Sequence, residues 1–456
     1  MARQNLGFAR ARDDLGTSLP ADEIGRADGE GPLSLEGDVT LDEGCLIPVS
    51  DPLADDGLVE LIYDARANQA ALAVRNSDGS IRLVPQDGQA DSLVRRELIL
   101  LPSEVGEPSC TSQLLDQVAA FIHTYVDLEL RHERVAAAYV LMTWVFDRFS
   151  AVPYLRALGA IGTGKTRFLL TVGSLCYRAI FAGGAVSPAA IFRAVDLYGG
   201  TLIIDEGDFR AAGMWTEMIK VLNSGYHRGL PALRAEPKGG VRAYAVFGPK
   251  ILASRHRFAD DALESRCITV RLRTTAREDI LLLLPQSFWE EALALRNRLL
   301  RFRLDNYATI EAPAVRVQRG FEPRVSQILG ALQPFLGDDG LLDDLRAEMQ
   351  SSLVDVRADG VEADIAELIV TKGGELLIKV IRKHLLDHGE ELSEKKIGLI
   401  LRTNLGLGEY MRRTREGVVL LPLPSERLDD LAVRYGVNGS REKPARGLWF
   451  LRRGVA

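Results

Sequence analysis

Hydrophobic periodicity divides the chain into four stretches. From Leu58 to Leu101, β-type runs (Leu58 to Tyr63, Ala70 to Arg75, Ile81 to Val84, Glu97 to Leu101) are separated by the turns Asn76-Ser-Asp-Gly and Gln86-Asp-Gly. Such spacing predicts a small antiparallel sheet. Ser112 to Tyr125 and Glu133 to Phe149 repeat apolar residues every three or four positions, as two amphipathic helices do. Between Tyr154 and Leu272 short apolar strands alternate with helical stretches, the pattern of a three-layer α/β domain with a largely parallel sheet. Beyond it the pattern turns helical, over Phe288 to Tyr307, Val325 to Leu336, Leu341 to Leu353, and Ile365 to His388 with a break at Gly373-Gly374. Ser393 is placed to N-cap a further helix ending near Asn404, and two β-type runs, Tyr410 to Thr414 and Val418 to Leu421, follow it.

Composition narrows the classes. With 46% hydrophobic and 26% charged residues in 456, the chain is globular on average. Residues 1 to 57, rich in Gly, Asp, Glu, Pro and Ser, offer little to bury and are expected to form a flexible arm. No apolar run approaches the ~20 residues of a membrane span, and no secretory signal follows the N-terminal arginines. A cytoplasmic protein with no membrane partner is therefore expected. Cys45, Cys110, Cys176 and Cys267 lie far apart without a C-x-x-C pair, so neither a disulfide framework nor a zinc site is expected. A net charge of −7 excludes a protein held to nucleic acid by bulk charge, so any such site must be local.

One motif supplies the chemistry. Gly159-Ala-Ile-Gly162-Thr163-Gly164-Lys165-Thr166 fits the phosphate-loop pattern G-x-x-x-x-G-K-[ST], with an apolar strand before it and a helix after it. The glycines let backbone N–H groups turn toward a triphosphate, and the helix N-terminus adds its partial positive charge. Lys165 would reach the β- and γ-phosphates of ATP, and Thr166 would place its hydroxyl on Mg²⁺. Thr201-Leu-Ile-Ile-Asp205-Glu206 is an apolar strand ending in two acids. Asp205 would hold the metal's water shell. Glu206 would polarise the attacking water, a mark of the hydrolysing branch of phosphate-loop proteins.

From Tyr154 to Leu272 the order of features resembles AAA+ ring ATPases, and within them the superfamily-3 and MCM-like helicases of phages, plasmids and other mobile elements. Ala232-Leu-Arg234-Ala, the turn Glu236-Pro-Lys238-Gly-Gly, and Val241-Arg242-Ala-Tyr read as a β-hairpin with a basic tip. In those families a hairpin before the sensor-1 strand grips DNA in the ring's channel. Lys238 would then be the tip contact, flanked by Arg234 and Arg242, with His227 and Arg228 nearer the base. On its residues alone the hairpin also reads as a solvated surface hairpin.

Lys250-Ile-Leu-Ala-Ser254 looks like the sensor-1 strand. The family usually ends it in Asn; here Ser254 stands there, with Arg255 or His256 to share the role. Arg266, in Asp261-Ala-Leu-Glu-Ser-Arg-Cys, occupies the place of an arginine finger reaching a neighbour's nucleotide; without the resemblance it reads as an ion-pair partner of Glu264. Arg324 matches a sensor-2 arginine of the lid.

The implied organisation is a flexible arm (1–57), a small β region (58–110), a helical collar (111–150), an AAA+ core (151–275), a helical lid (276–360) and a winged-helix-like module (361–456). In the last, Lys395, Lys396 and Arg402 would line a recognition helix and Arg412, Arg413 and Arg415 a wing; protein docking or lid packing is the other use of such a module. The expected function is an ATP-dependent ring motor, a hexamer acting on single-stranded DNA in replication of a mobile element, with a separate primase or replication protein as a further partner. The alternative is an ATP-switched scaffold or regulator that assembles on DNA or protein without unwinding.

Overall fold

A computed structural model describes residues 50–52, 58–86, 90–183, 187–205, 212–235, 240–258, 260–317, 321–337, 339–358 and 361–437. Four antiparallel strands, β1 (Ser50–Pro52), β2 (Leu58–Asp64), β3 (Gln69–Arg75) and β4 (Ile81–Gln86), form a sheet in sequence order. The last run expected in that sheet goes elsewhere. After α1 (Ser92–Arg95), β5 (Ile99–Leu100) pairs antiparallel with the edge of the central sheet, which satisfies both its backbone and that edge. Two antiparallel helices follow, α2 (Thr111–Tyr125) and α3 (Leu130–Thr143).

The central sheet takes β6 (Tyr154–Leu158), β7 (Ala179–Ala182), β8 (Leu202–Ile204), β11 (Lys250–Ser254) and β12 (Cys267–Arg271), all parallel, in the order β12-β6-β11-β8-β7-β5. The crossovers carry α4 (Lys165–Gly173), α5 (Pro188–Tyr198), α6 (Ala212–Ser224), a separate hairpin of β9 (Ala232–Ala235) and β10 (Val241–Tyr244), and α7 (Asp261–Glu264). Strand alternation sorts the side chains between two layers of helices. Leu155, Ala157, Ile203, Ile251 and Ala253 join α3 and α4 in one core, while Tyr154, Leu202, Ile204 and Leu252 join α5 and α6 in the other.

The remaining chain is helical: α8 (Gln286–Asn306), α9 (Pro323–Leu329), α10 (Gln333–Leu336) and α11 (Asp339–Ala358). The single helix expected over 325–336 is thus two pieces, separated at Gly330 to Leu332. Then come α12 (Val361–Lys372), β13 (Leu376–Leu377), α13 (Ile378–Asp387), α14 (Glu394–Thr403), β14 (Met411–Thr414), β15 (Gly417–Leu420) and α15 (Ser425–Tyr435). Gly373 and Gly374 break the helix at successive positive φ angles of 54° and 74°, a conformation costly for a residue with a Cβ. The Ser393 side chain accepts from the Lys396 N–H at 3.3 Å, so the expected N-cap is formed. Among the described residues no helix is long and apolar enough to cross a membrane.

Two buried ion-pair clusters were not evident in the sequence. Arg156, fully buried in the apolar strand β6, makes a bidentate pair with Glu264 and donates to Thr269 Oγ1 at 2.7 Å. Glu60 on β2 receives Arg178 Nη2 at 2.8 Å, Arg303 Nε at 2.6 Å and the Tyr177 hydroxyl at 2.9 Å; Arg303 also holds Asp147 at 2.8 Å. The small sheet, the central domain and α8 are tied through that one carboxylate.

Candidate nucleotide and nucleic-acid sites

The loop after β6 turns because Gly162 and Gly164 take φ of 82° and 86°. At Gly159 the constraint is room: a Cβ there would stand 2.4 Å from Thr163 Oγ1 and 2.9 Å from the Leu272 carbonyl. Thr163 Oγ1 ties the turn by donating to the Ala160 carbonyl at 2.9 Å. The nine-residue α4 then starts at Lys165 with no acid in its first turn and no side chain capping it. Its N-terminal N–H groups are thereby left for an anion. The Lys165 ammonium folds onto the loop's own carbonyls, Gly159 at 2.8 Å and Ala160 at 2.6 Å, from which a phosphate oxygen would draw it.

Thr166 Oγ1 donates to Asp205 Oδ2 at 2.7 Å. Strand order explains the meeting: β11 separates β6 from β8, and the three C-terminal ends open on one edge. A hydroxyl and a carboxylate this close suit Mg²⁺, which takes one or two protein oxygens and keeps the rest of its shell as water. The described residues contain no cluster of three His, Cys, Asp or Glu that would suit a more protein-ligated ion. Glu206, expected next to Asp205, lies outside the described residues.

Ser254 ends β11 opposite Leu158, and its carbonyl accepts from the Gly159 N–H at 3.2 Å. Its side chain is buried, with no partner for Oγ among the described residues. An orphaned hydroxyl beside the phosphate loop is a costly feature unless a ligand completes it.

Arg266 and Arg324 lie at the other end of the sheet. Arg266 precedes β12, whose parallel register with β6 puts it six residues from the loop level, roughly 20 Å along the strands. It is buried, donates to Asn223 Oδ1 at 2.9 Å and to the Ala262 carbonyl, and stacks 4.3 Å from the Tyr226 ring centroid. The Glu264 pairing is not formed, because Arg156 occupies both oxygens of that carboxylate. Arg324 donates to Ser265 Oγ at 3.2 Å and lies 5.5 Å from the same tyrosine ring. Both contacts place Arg324 beside Arg266, at the end of the sheet away from the loop of its own chain. Burial, then the neighbouring Arg324 charge, lowers the Arg266 pKa.

In the hairpin, Arg242 faces Arg234 across the pair. Arg234 pairs with Glu217 at 3.5 Å and lies 4.5 Å from the Phe192 ring; Arg242 pairs with Asp196 at 3.6 Å and lies 4.8 Å from the Tyr244 ring. Both flank arginines are thus engaged with α5 and α6. Leu233 and Val241 remain well exposed on the same strands. Lys238 lies outside the described residues. In the C-terminal segment, Lys395, Lys396, Leu399 and Arg402 line the exposed face of α14, and Arg412, Arg413 and Arg415 are exposed on and beside β14.

No protein-family model matches the chain, and no curated protein does. Among solved structures, an active helicase of SCCmec type IV, Cch, aligns with a TM-score of 0.37 and 13% identity, over 90% of this chain and 99% of that one. The C-terminal region of NrS-1 aligns at 0.34 and 11%, over 80% and 96%. A full-length MCM homolog from Methanopyrus kandleri aligns at 0.33 and 12%, over 69% and 76%. At these scores the functional reading rests on the site's own residues and not on the likenesses.

Proposed function

We propose that the chain is an ATP-driven motor that moves single-stranded DNA, a DNA-dependent ATPase and helicase of the AAA+ class. The observation that carries this is the coincidence at β11: its C-terminal end stands between the phosphate loop and Asp205, and its N-terminal end follows directly on the hairpin. ATP binds with its β- and γ-phosphates on the loop N–H groups and Lys165. Thr166 and Asp205 would hold Mg²⁺, which would neutralise charge on the phosphates. Glu206 orients the water, and Ser254 donates to it or to a γ-phosphate oxygen. Arg266 serves a neighbour's nucleotide only by leaving Tyr226 and Asn223, so a ring, a hexamer in this reading, completes each site in trans with Arg324 beside it. The order helix, strand, helix, helix, strand, strand over α12 to β15, with sheet order β13-β15-β14, supports a winged helix whose basic face meets phosphate; α8 to α11 serve as the lid. Replication of a mobile element, with a separate primase, is the setting this reading favours.

The Lys238→Ala variant tests the motor. It should lose forked-duplex unwinding and single-strand stimulation of the ATPase, with the salt slope of binding reduced by roughly 0.7 for each phosphate that the lysine no longer neutralises. Unwinding at the parent rate would move the DNA grip elsewhere and favour an ATP-switched scaffold.

The same arrangement supports a place for the base of the nucleotide. Thr166, Asp205 and Ser254 lie on the β11 and β8 side of the loop, so the γ-phosphate points there and the nucleoside leaves toward β12. On that side residues 273–285 run back across α4, where Arg167 Nη2 donates to the Leu281 and Leu282 carbonyls at 2.8 and 2.5 Å. Leu282 and Leu283 are 93% and 84% exposed, an apolar wall without a covering partner among the described residues. A Leu282→Ser, Leu283→Ser double variant should bind ATP about tenfold more weakly, the worth of partial apolar burial, and bind inorganic tripolyphosphate as the parent does. Loss of affinity for both would instead mean that the loop itself had shifted.

A further inference from the structure

Lys250, the first residue of β11, is fully buried, and its Nζ meets backbone rather than an acid. It donates to the carbonyls of Gly225 at 3.1 Å, Val246 at 3.0 Å and Gly248 at 2.9 Å, and stands 4.9 Å from the Tyr154 ring centroid. Gly225 precedes the hairpin and Val246 and Gly248 follow it. One ammonium thus closes the neck of the whole excursion, helped by the Gly248 N–H donating to the Gly225 carbonyl at 3.1 Å. The neck is tight: a Cβ on Gly225 would stand 2.6 Å from the Lys250 Nζ. Desolvation makes a buried ammonium expensive, and here it pushes the amine down to about 7. An apolar side chain would fill the same space without that cost but would leave the Val246 and Gly248 carbonyls unmet and the Gly225 carbonyl with the Gly248 N–H alone.

The strand that begins with this clamp ends four residues later in Ser254, whose orphaned hydroxyl borders the phosphate loop. It is hydrogen-bonded to β6 along one side and β8 along the other, which holds it as a rigid rod. We propose that Lys250 is the positioning residue that fastens the hairpin's neck to this rod, so that a shift of β11 at the γ-phosphate is delivered to the nucleic-acid grip. The proposal rests on the motor reading above.

The test uses the full chain with Lys250→Met, which keeps length and removes all donors. Nucleotide affinity and basal ATPase should stay within about twofold of the parent while the single-strand-stimulated rate falls about tenfold, equivalent to about 1.4 kcal/mol of coupling. A merely stabilising lysine would lower both rates in proportion, and that result overturns the proposal. Lys238→Ala, measured alongside, separates the two ideas. Stimulation that survives Lys238→Ala defeats the motor reading, whereas stimulation lost in Lys238→Ala and retained in Lys250→Met defeats the clamp alone. Should Lys250→Met fail to fold, hydrogen exchange of the parent decides. The Gly225, Val246 and Gly248 amides should remain protected with and without a non-hydrolysable ATP analogue while exchange in 232–244 changes. Neck amides that exchange as fast as the hairpin would overturn the clamp.

Discussion

Lys165→Ala should reduce ATP hydrolysis by about 10²–10³-fold, the usual cost of removing one preorganised charge at a reacting phosphate, and should weaken nucleotide binding as well. Lys165 is the cation carried at the head of α4, and its present partners are two carbonyls of its own loop, at 2.8 and 2.6 Å. In the proposed function those bonds would be exchanged for phosphate oxygens on binding, and the ammonium would contribute to the bound ground state and to the transition state alike. Glu206→Gln separates these contributions. The glutamine keeps size and polarity but cannot take up the water's proton, so ATP should bind with parent affinity and persist. Equilibrium binding of a fluorescent ATP analogue, paired with single-turnover hydrolysis, checks both arms. Equal loss of affinity in the two variants would contradict the assignment of binding to Lys165 and water activation to Glu206.

How much of this was legible in the sequence depends on range. The turn from β6 into α4 was readable because its pattern is local: eight consecutive residues supply the glycines that turn the chain, the cation and the hydroxyl. Asp205 was readable because an apolar strand must end at the sheet edge where the loop opens, and the 2.7 Å contact with Thr166 follows from strand order. The Ser393 cap and the break at Gly373-Gly374 are likewise local. What failed was tertiary. Glu97 to Leu101 carries a strand signal that says nothing about which sheet it joins, and β5 completes the edge beside β7 instead of the small sheet. On its residues alone Arg266 reads as a partner of Glu264, yet Arg156 takes that carboxylate and Asn223 and Tyr226, about 40 residues earlier, hold Arg266. The position of Arg324 beside Ser265 and Tyr226 is likewise set by packing between distant segments and is not written in its local sequence. Lys250 gave no signal either, since a lysine beginning a strand is ordinarily solvated, and its three carbonyl partners become visible only when the hairpin's neck closes. The fitting clue was present in Gly225 and Gly248, two glycines flanking the excursion.

Glu60→Ala should be the most damaging substitution outside the nucleotide site. Glu60 is 2% exposed and receives two guanidiniums and a phenol. Removing it leaves Arg178 with the Tyr198 carbonyl at 3.1 Å, and Arg303 with Asp147 and the Trp144 carbonyl. Two buried cations then face each other across a cavity, a defect that costs about 3–5 kcal/mol when one partner of a buried pair is deleted. Thermal melts and urea titrations of the full chain should show it, with the small sheet detaching from α8 first. A cost below about 1 kcal/mol would mean that water replaces the carboxylate and that the cluster is not closed. Asp147 adds a pH signature. Burial opposes its charge, but the Arg303 guanidinium more than compensates and holds the carboxyl below its ordinary value. Because the folded state binds the proton less tightly than the unfolded chain, this stabilisation is complete above the ordinary carboxylate value of about 4 and is lost as pH falls through the lower folded value. Asp147→Asn should therefore be less stable than the parent at neutral pH and converge with it in acid. A stability gap between the two that is as wide in strong acid as at pH 7 would show that the Asp147 charge contributes nothing and that only its shape matters.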